Sequence, residues 1–194
     1  KTNETIIKSL NLSEYNDSEI DEDFIFNEDF FKNINIKLTD FGTVYKLKYK
    51  SDDEIQTRYY RAPEVILGLI HNEKVDIWSL GCVLLEILLN NILFNPIKDE
   101  YYNRDFYHLL DIQKLCGNVP EYMINNCPFK SDFFKKKKFK KTFEKNSIEN
   151  LLKEKNIYTD ELNEFLVSIL NIDYKKRLSA SECLELAWIK NVKV

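Results

Sequence analysis

Lys74-Val75-Asp76-Ile77-Trp78-Ser79-Leu80-Gly81-Cys82-Val83-Leu84-Leu85-Glu86-Ile87-Leu88-Leu89 is the stretch on which the fold turns. Apolar side chains at 75, 77, 78, 80, 83, 84, 85, 87, 88 and 89 leave almost no polar face. A helix apolar all round belongs in the centre of a larger structure. The stretch is too short to span a bilayer and carries Asp76 and Glu86 within it. Asp76 near the start of so apolar a helix calls for buried donors to satisfy its carboxylate.

C-terminal to this helix the chain reads as further helices joined by irregular loops. Phe106, Leu109, Leu110 and Ile112 give an amphipathic helix over 105–115. An irregular stretch follows, with Pro120, Pro128 and the run Lys135-Lys136-Lys137-Lys138-Phe139-Lys140-Lys141. A short helix is expected over 147–155. Thr159 is a good N-cap for a helix through Leu170, with Leu162, Phe165, Leu166, Ile169 and Leu170 as its stripe. Ser179-Ala180-Ser181-Glu182 is a capping box, opening a last helix that runs to about Ala187.

On the N-terminal side, Pro63 opens a short helix over 64–69, and 43–61 is an extended, tyrosine-rich loop. Ile34, Ile36 and Leu38 alternate with polar residues, which predicts a half-buried strand at 34–39 ending at Asp40-Phe41-Gly42. Residues 1–33 differ in kind. Lys1, Lys8 and Lys32 stand against Glu4, Glu14, Asp17, Glu19, Asp21, Glu22, Asp23, Glu28 and Asp29, so this segment carries more than the whole net charge of −4. It reads as an acidic insertion or spacer.

The 194 residues are 44% hydrophobic, enough for a real core. The net negative charge argues against general attraction to nucleic acid or anionic membrane, although a local basic patch could act. The lysine run at 135–141 is by default a solvated loop, with a nuclear signal or anion site as the alternative. The four glycines lie far apart, so no glycine-rich phosphate loop can be built from them. The four cysteines form no Cys-x-x-Cys pair and suit no zinc ribbon. No signal peptide is visible in residues 1–10, and a reduced setting, cytoplasm or nucleus, is expected.

Asp40-Phe41-Gly42 at a strand end could hold magnesium through a carboxylate, or could be an Asx turn with an aromatic tucked inward. The decisive string is Ile55-Gln56-Thr57-Arg58-Tyr59-Tyr60-Arg61-Ala62-Pro63-Glu64-Val65-Ile66-Leu67-Gly68. With Asp40-Phe41-Gly42 before it and Asp76-Ile77-Trp78-Ser79-Leu80-Gly81-Cys82 after it, the chain resembles a eukaryotic protein kinase of the CMGC group. Ile55-Gln56-Thr57-Arg58, Leu93-Phe94-Asn95-Pro96, Tyr102-Asn103-Arg104-Asp105, Val119-Pro120 and Phe133-Phe134-Lys135-Lys136 make it most similar to the SR-protein kinases.

The resemblance covers 34–194. It implies a mainly α fold, the C-terminal or large lobe of a protein kinase, with a small β element and the N-terminal lobe absent. The activation segment would be 40–64 and the helical part 65–194. Asp40 would bind the magnesium of Mg-ATP, and Phe41 would pack into the lobe interior. Thr57 would stand beside the catalytic aspartate. Thr57, Arg58, Tyr60 and Arg61 would form the substrate pocket, with Arg61 favouring proline or a basic residue after the phosphoacceptor. Glu64 would pair with Arg177 as the clamp of the activation segment. Asp76 would accept hydrogen bonds from the backbone of the catalytic loop. The implied activity is transfer of the ATP γ-phosphoryl group to serine or threonine of a protein substrate, with ATP held through the missing small lobe. A monomer is expected, with neither nucleic acid nor membrane as partner.

The departures also matter. No Val-Ala-Ile-Lys strand, no glutamate partner for its lysine and no His-Arg-Asp loop occur; the histidines are His71 and His108. The expectation is therefore a kinase portion without catalytic base, inactive by itself, with a non-catalytic pseudokinase or docking module as the alternative. A third possibility, a generic helical interaction domain, would make these motifs accidental. Tyr174 stands where the family usually has proline. SR-protein kinases dock basic substrates on acidic positions around the helix at 105–115. The corresponding places here hold Asn91, Tyr107 and Lys114. Tyr45, Tyr49, Ser51 and Thr57 are possible phosphorylation sites, beside fixed negative charge at Asp52, Asp53 and Glu54.

Overall fold

The computed structural model describes residues 36–44 and 55–191. They fall in two compact units, each taken by itself below. The acidic segment 1–33 and the phosphorylation candidates at 45, 49 and 51 lie outside the described residues.

In the first unit, residues 36–40 form no strand. Ile36 is 87% exposed and Leu38 82%. The alternation at 34–39 therefore does not make a half-buried strand over its described part. A strand buries a face only when a neighbour lies against it, and no such neighbour is present among the described residues. Asp40 adopts the left-handed conformation, φ 64° and ψ 57°, and leads into a single 3-10 turn, Phe41–Thr43. Within this unit Phe41 is exposed. One short turn offers no pocket of its own to a phenyl ring.

The second unit is mainly α-helical. Its elements are α1 (Pro63–Ile66), α2 (Lys74–Leu89), α3 (Arg104–Cys116), α4 (Glu121–Asn126), α5 (Lys130–Phe133), α6 (Ile148–Glu154), α7 (Asp160–Ile169), α8 (Ala180–Cys183) and α9 (Ala187–Lys190). A 3-10 turn, Arg58–Tyr60, precedes α1. Between α5 and α6 lies an antiparallel hairpin, β1 (Phe134–Lys135) and β2 (Lys138–Phe139), with Phe134 opposite Phe139. Among the described residues the small β element thus lies in the lysine run and not at 36–39. Its turn places Lys136 and Lys137 at φ 50° and 62°, the paired left-handed geometry of a tight hairpin. No described helix is long and apolar enough to cross a membrane.

Side-chain caps start α3, α6, α7 and α8, whereas α2 has none. Asn103 accepts from Phe106 N–H, Ser147 from Asn150 N–H and Thr159 from Leu162 N–H. Ser179 and Glu182 form the reciprocal capping box. The helix it opens ends at Cys183 rather than about Ala187, because Leu186 turns extended and starts α9 anew. Trp188 of α9 then packs on Phe165, ring centroids 4.7 Å apart.

α2 holds the core together through Val75, Trp78, Gly81, Cys82 and Leu85, with α7 packed against it. Gly81 is what lets α7 come so near. A Cβ there would lie 2.8 Å from Leu170 Cγ. The helix is not buried all round, however. Leu80 and Ile87 are 53% and 71% exposed, and Val83 and Asp76 are also exposed. Hydrophobicity shows which faces could be covered, not how many neighbours the chain provides. α3 joins the hairpin through aromatic rings: Phe106 stacks on Tyr102 at 3.8 Å and on Phe139 at 4.7 Å.

Candidate functional site: a loop latched to the central helix

The segment 55–64 lies along α2 and is fixed by one amide side chain. Gln56 has φ 64°. Its Nε2 donates to Val75 O at 2.8 Å and to Ser79 Oγ at 2.6 Å, while its Oε1 accepts from Ala62 N–H at 3.0 Å. Ser79 Oγ in turn donates to Tyr60 O at 3.0 Å. Tyr60 Oη donates to Glu86 Oε2 at 3.2 Å, and Glu86 Oε1 accepts from Leu93 N–H. Burial first, and then the Glu86 carboxylate, raise the Tyr60 hydroxyl above its ordinary pKa.

Glu64 and Arg177 meet although 113 residues separate them. Both are completely buried. Arg177 Nη1 donates to Glu64 Oε1 at 2.6 Å and Nη2 to Glu64 Oε2 at 2.8 Å, the bidentate fork of a charge-assisted pair. Nη1 also reaches Lys74 O at 3.0 Å, and Nε reaches Asn171 O at 3.1 Å. The guanidinium lies 5.0 Å over the Trp78 ring. Asp173, at the start of the turn that delivers Arg177, is held by Tyr122 Oη at 2.5 Å and by Lys175 N–H.

Two arginines and one carboxylate make the floor beside the loop. Arg58 is hydrogen-bonded to Asp105 of α3. Arg61, buried, lies 3.9 Å from the same carboxylate and donates from Nη2 to Gln56 O at 3.1 Å. Beneath them His108 is fully buried and packs at 5.5 Å against Phe94. Burial, and then the Arg61 and Arg58 charges, lower its pKa to about 3, so the imidazole is neutral.

The other predicted residues fall as follows. Thr57 is exposed, and its carbonyl accepts from Tyr60 N–H at 2.9 Å. Asp76 is exposed on α2; the catalytic-loop backbone that the resemblance gives it as donor is not among the described residues. Asn91 is exposed, Lys114 pairs with Asp111 at 2.7 Å, and Tyr107 is hydrogen-bonded to Asp99. Tyr174 sits 6.1 Å from Tyr122, ring to ring. Asp40 is exposed in its own unit. No three His, Cys, Asp or Glu converge to hold a metal among the described residues. A single carboxylate fits magnesium carried mainly by waters and phosphate oxygens; it does not fit an all-protein cage.

Sequence reading did not single out Gln56, Ser79, Glu86, Asp105 or His108. The available signal was polarity out of place: Ser79 and Glu86 interrupt an otherwise apolar helix, and His108 shares the apolar stripe of Phe106 and Leu109.

The chain matches the protein kinase domain over residues 23–189. It is 34% identical over 185 residues to putative serine/threonine-protein kinase L205 of Acanthamoeba polyphaga mimivirus, covering 91% of this chain and 34% of that protein. Serine/threonine-protein kinase SKY1 of Saccharomyces cerevisiae is 31% identical over 165 residues, with 81% and 22% covered. SRSF protein kinase 3 of Homo sapiens is 30% identical over 168 residues, with 80% and 29% covered. The chain thus spans about a third or less of the length of these relatives. Helical architecture, latched loop and sequence agreement together make this chain a member of the protein kinase domain family, in the CMGC group and similar to the SR-protein kinases.

Proposed function

We propose that this chain is the C-terminal, large-lobe portion of an ATP-dependent serine/threonine protein kinase. In the parent enzyme the γ-phosphoryl group of ATP passes to a protein hydroxyl. Asp40 supplies the magnesium carboxylate, and Thr57, Arg58, Tyr60 and Arg61 receive the peptide. The observation that carries this reading is the buried Arg177–Glu64 pair, which fixes the end of the peptide-receiving loop to the start of α2. A loop held this way is pre-organised, and orientation is most of what phosphoryl transfer asks of the protein. Magnesium, when bound, neutralises charge on the phosphates; the residues of this chain orient and hold.

Proline is the favoured residue after the phosphoacceptor. The Gln56 carbonyl is already taken by Arg61, so a peptide N–H finds no free acceptor there, and a residue lacking the N–H gives up nothing. The Asp105 carboxylate, which could have attracted a basic residue, is engaged by Arg58.

The test is phosphotransfer from labelled ATP. The 194-residue chain alone is expected to show none, whereas the full polypeptide encoded by the gene transfers phosphate and loses that activity on Asp40→Asn. A full polypeptide that neither binds ATP nor transfers phosphate would leave the pseudokinase reading. Peptides with Ser-Pro are expected to outrun Ser-Arg peptides in the full polypeptide; the reverse order removes the proline assignment.

A further inference from the structure

Residues 135–145 hold seven lysines against one glutamate, Glu144. The hairpin sets two of them, Lys135 and Lys138, directly opposite each other, a like-charge pairing that works against the strands. Lys137 pairs with Glu121 at 2.5 Å, and Lys141 donates to Tyr107 Oη at 3.1 Å. Lys138 and Lys145 are exposed. With Lys137, Lys141 and Thr142 they line one cleft beside the hairpin, so a single hydroxyl stands among four ammonium-bearing side chains.

Thr142 is exposed and belongs to no helix or strand. The span around it is tied at its ends: Lys140 N–H donates to Phe133 O at 3.0 Å, and Asn146 N–H to Lys114 O at 2.8 Å. Between them, among the described residues, no backbone-to-backbone hydrogen bond holds 141–145. Such a backbone opens at little cost, and an enzyme that takes its substrate as an extended chain can use it. Neighbouring hydroxyls are less available: Ser131 lies within α5, and Ser147 is engaged as the cap of α6. The sequence on either side is also selective, with Lys138, Lys140 and Lys141 before the hydroxyl, Phe143 directly after it and Lys145 beyond.

We propose that Thr142 is a phosphorylation site for a separate, lysine-reading protein kinase. A kinase whose substrate groove carries carboxylates opposite Lys140 and Lys141 selects this span by charge. Thr142 Oγ forms a bond to the γ-phosphorus of ATP, and the bond from that phosphorus to the bridging oxygen of ADP breaks. ADP leaves, and the hydroxyl proton passes to the modifying enzyme's base. The product adds about two negative charges and three strong acceptor oxygens in the midst of the lysines. Lys138 from β2 and Lys145 from the approach to α6 then bond to one phosphate, which closes the span onto the hairpin. In this reaction the chain is a substrate, whatever its own catalysis.

The experiment incubates the 194-residue chain with Mg-ATP, with and without a purified kinase selected on a synthetic peptide that carries Lys before and Phe after its phosphoacceptor. Tandem mass spectrometry is expected to place phosphate on Thr142 when that kinase is present, and Thr142→Val should remove it. Lys140→Glu should slow incorporation by about tenfold or more while leaving the thermal melt unchanged, because that side chain is exposed. Phosphorus NMR then reads the capture. Nearby ammonium groups favour the dianion, so the phosphothreonine should titrate below its ordinary second pKa of about 6. Lys138→Ala with Lys145→Ala should return it there. Three results would overturn the proposal: phosphate placed on Ser131 or Ser147 as readily as on Thr142, incorporation indifferent to Lys140→Glu, or a phosphothreonine titrating at about pH 6 or above. The arm without added kinase reads the inactivity of the chain by itself, so failure of that reading is distinguished from failure of this one.

Discussion

Arg177 donates four hydrogen bonds, to Glu64, Lys74 O and Asn171 O, and not one of its atoms is exposed to water. A buried pair of this kind is not a large net stabiliser, but half of it alone is severely destabilising. Glu64→Gln leaves the guanidinium charge uncompensated and is expected to cost about 3–5 kcal/mol in urea denaturation. The paired change Glu64→Leu with Arg177→Met should recover part of that loss. The sequence could name both partners only through the resemblance, since no local period links residues so far apart. His108 is a different case: its place in the apolar stripe of Phe106 and Leu109 is a local signal, but only tertiary burial makes its titration unusual. Its folded pKa of about 3 lies below the ordinary 6.5. Between those values the unfolded chain binds a proton that the folded chain refuses, so stability falls as pH drops below about 6.5. The slope approaches ~1.4 kcal/mol per pH unit. His108→Leu should flatten the stability profile between about pH 6.5 and 4, measured by urea midpoints at each pH.

Among the elements, α2 and α7 were the most legible in the sequence, because long apolar periods and a capping residue are local signals. What no local signal gives is how closely two helices approach. Gly81→Ala should raise helix propensity by about 1 kcal/mol. Yet its Cβ would meet Leu170 Cγ at 2.8 Å and Cδ2 at 2.9 Å. Overpacking wins, and a net loss of about 1–3 kcal/mol is expected from urea denaturation, reduced when Leu170→Ala is added. The hairpin was not legible at all: Lys136 and Lys137 adopt left-handed conformations without the Gly or Asn that usually announces them. The loop at 55–62 was legible as a motif but not as a structure, since its shape is imposed by the Gln56 side chain. Gln56→Ala removes the acceptor of Ala62 N–H and the donor to Val75 O and Ser79. Amide exchange at Ala62 is then expected to quicken by about tenfold or more, while exchange in the middle of α7 stays unchanged.

At the scale of the whole second unit, the one large discrepancy between sequence and structure is the open face of α2. Positions 76, 80, 83 and 87 recur at spacings of four, three and four, so Asp76, Leu80, Val83 and Ile87 share one side of the helix. Those four are the exposed residues of that row. The sequence equips α2 for cover on every side, and the described residues cover only the side of Val75, Trp78, Cys82 and Leu85. The three apolar members of this row, Leu80, Val83 and Ile87, make a contact surface rather than an ordinary solvent face. If the chain is a portion of a larger kinase, the remainder of that kinase closes this face, and without it copies of the chain should close it for one another. Sedimentation of the 194-residue chain should therefore grow heavier with concentration. Leu80→Lys with Ile87→Lys should abolish that dependence and shift stability by no more than about 0.5 kcal/mol. Leu85→Lys, on the covered side, should unfold the chain instead. In the full polypeptide the order reverses for the first pair: Leu80→Lys with Ile87→Lys should lower the melting temperature, because there the row lies inside the molecule. An unchanged melting temperature in that setting would mean that the row stays open to solvent in the longer protein too.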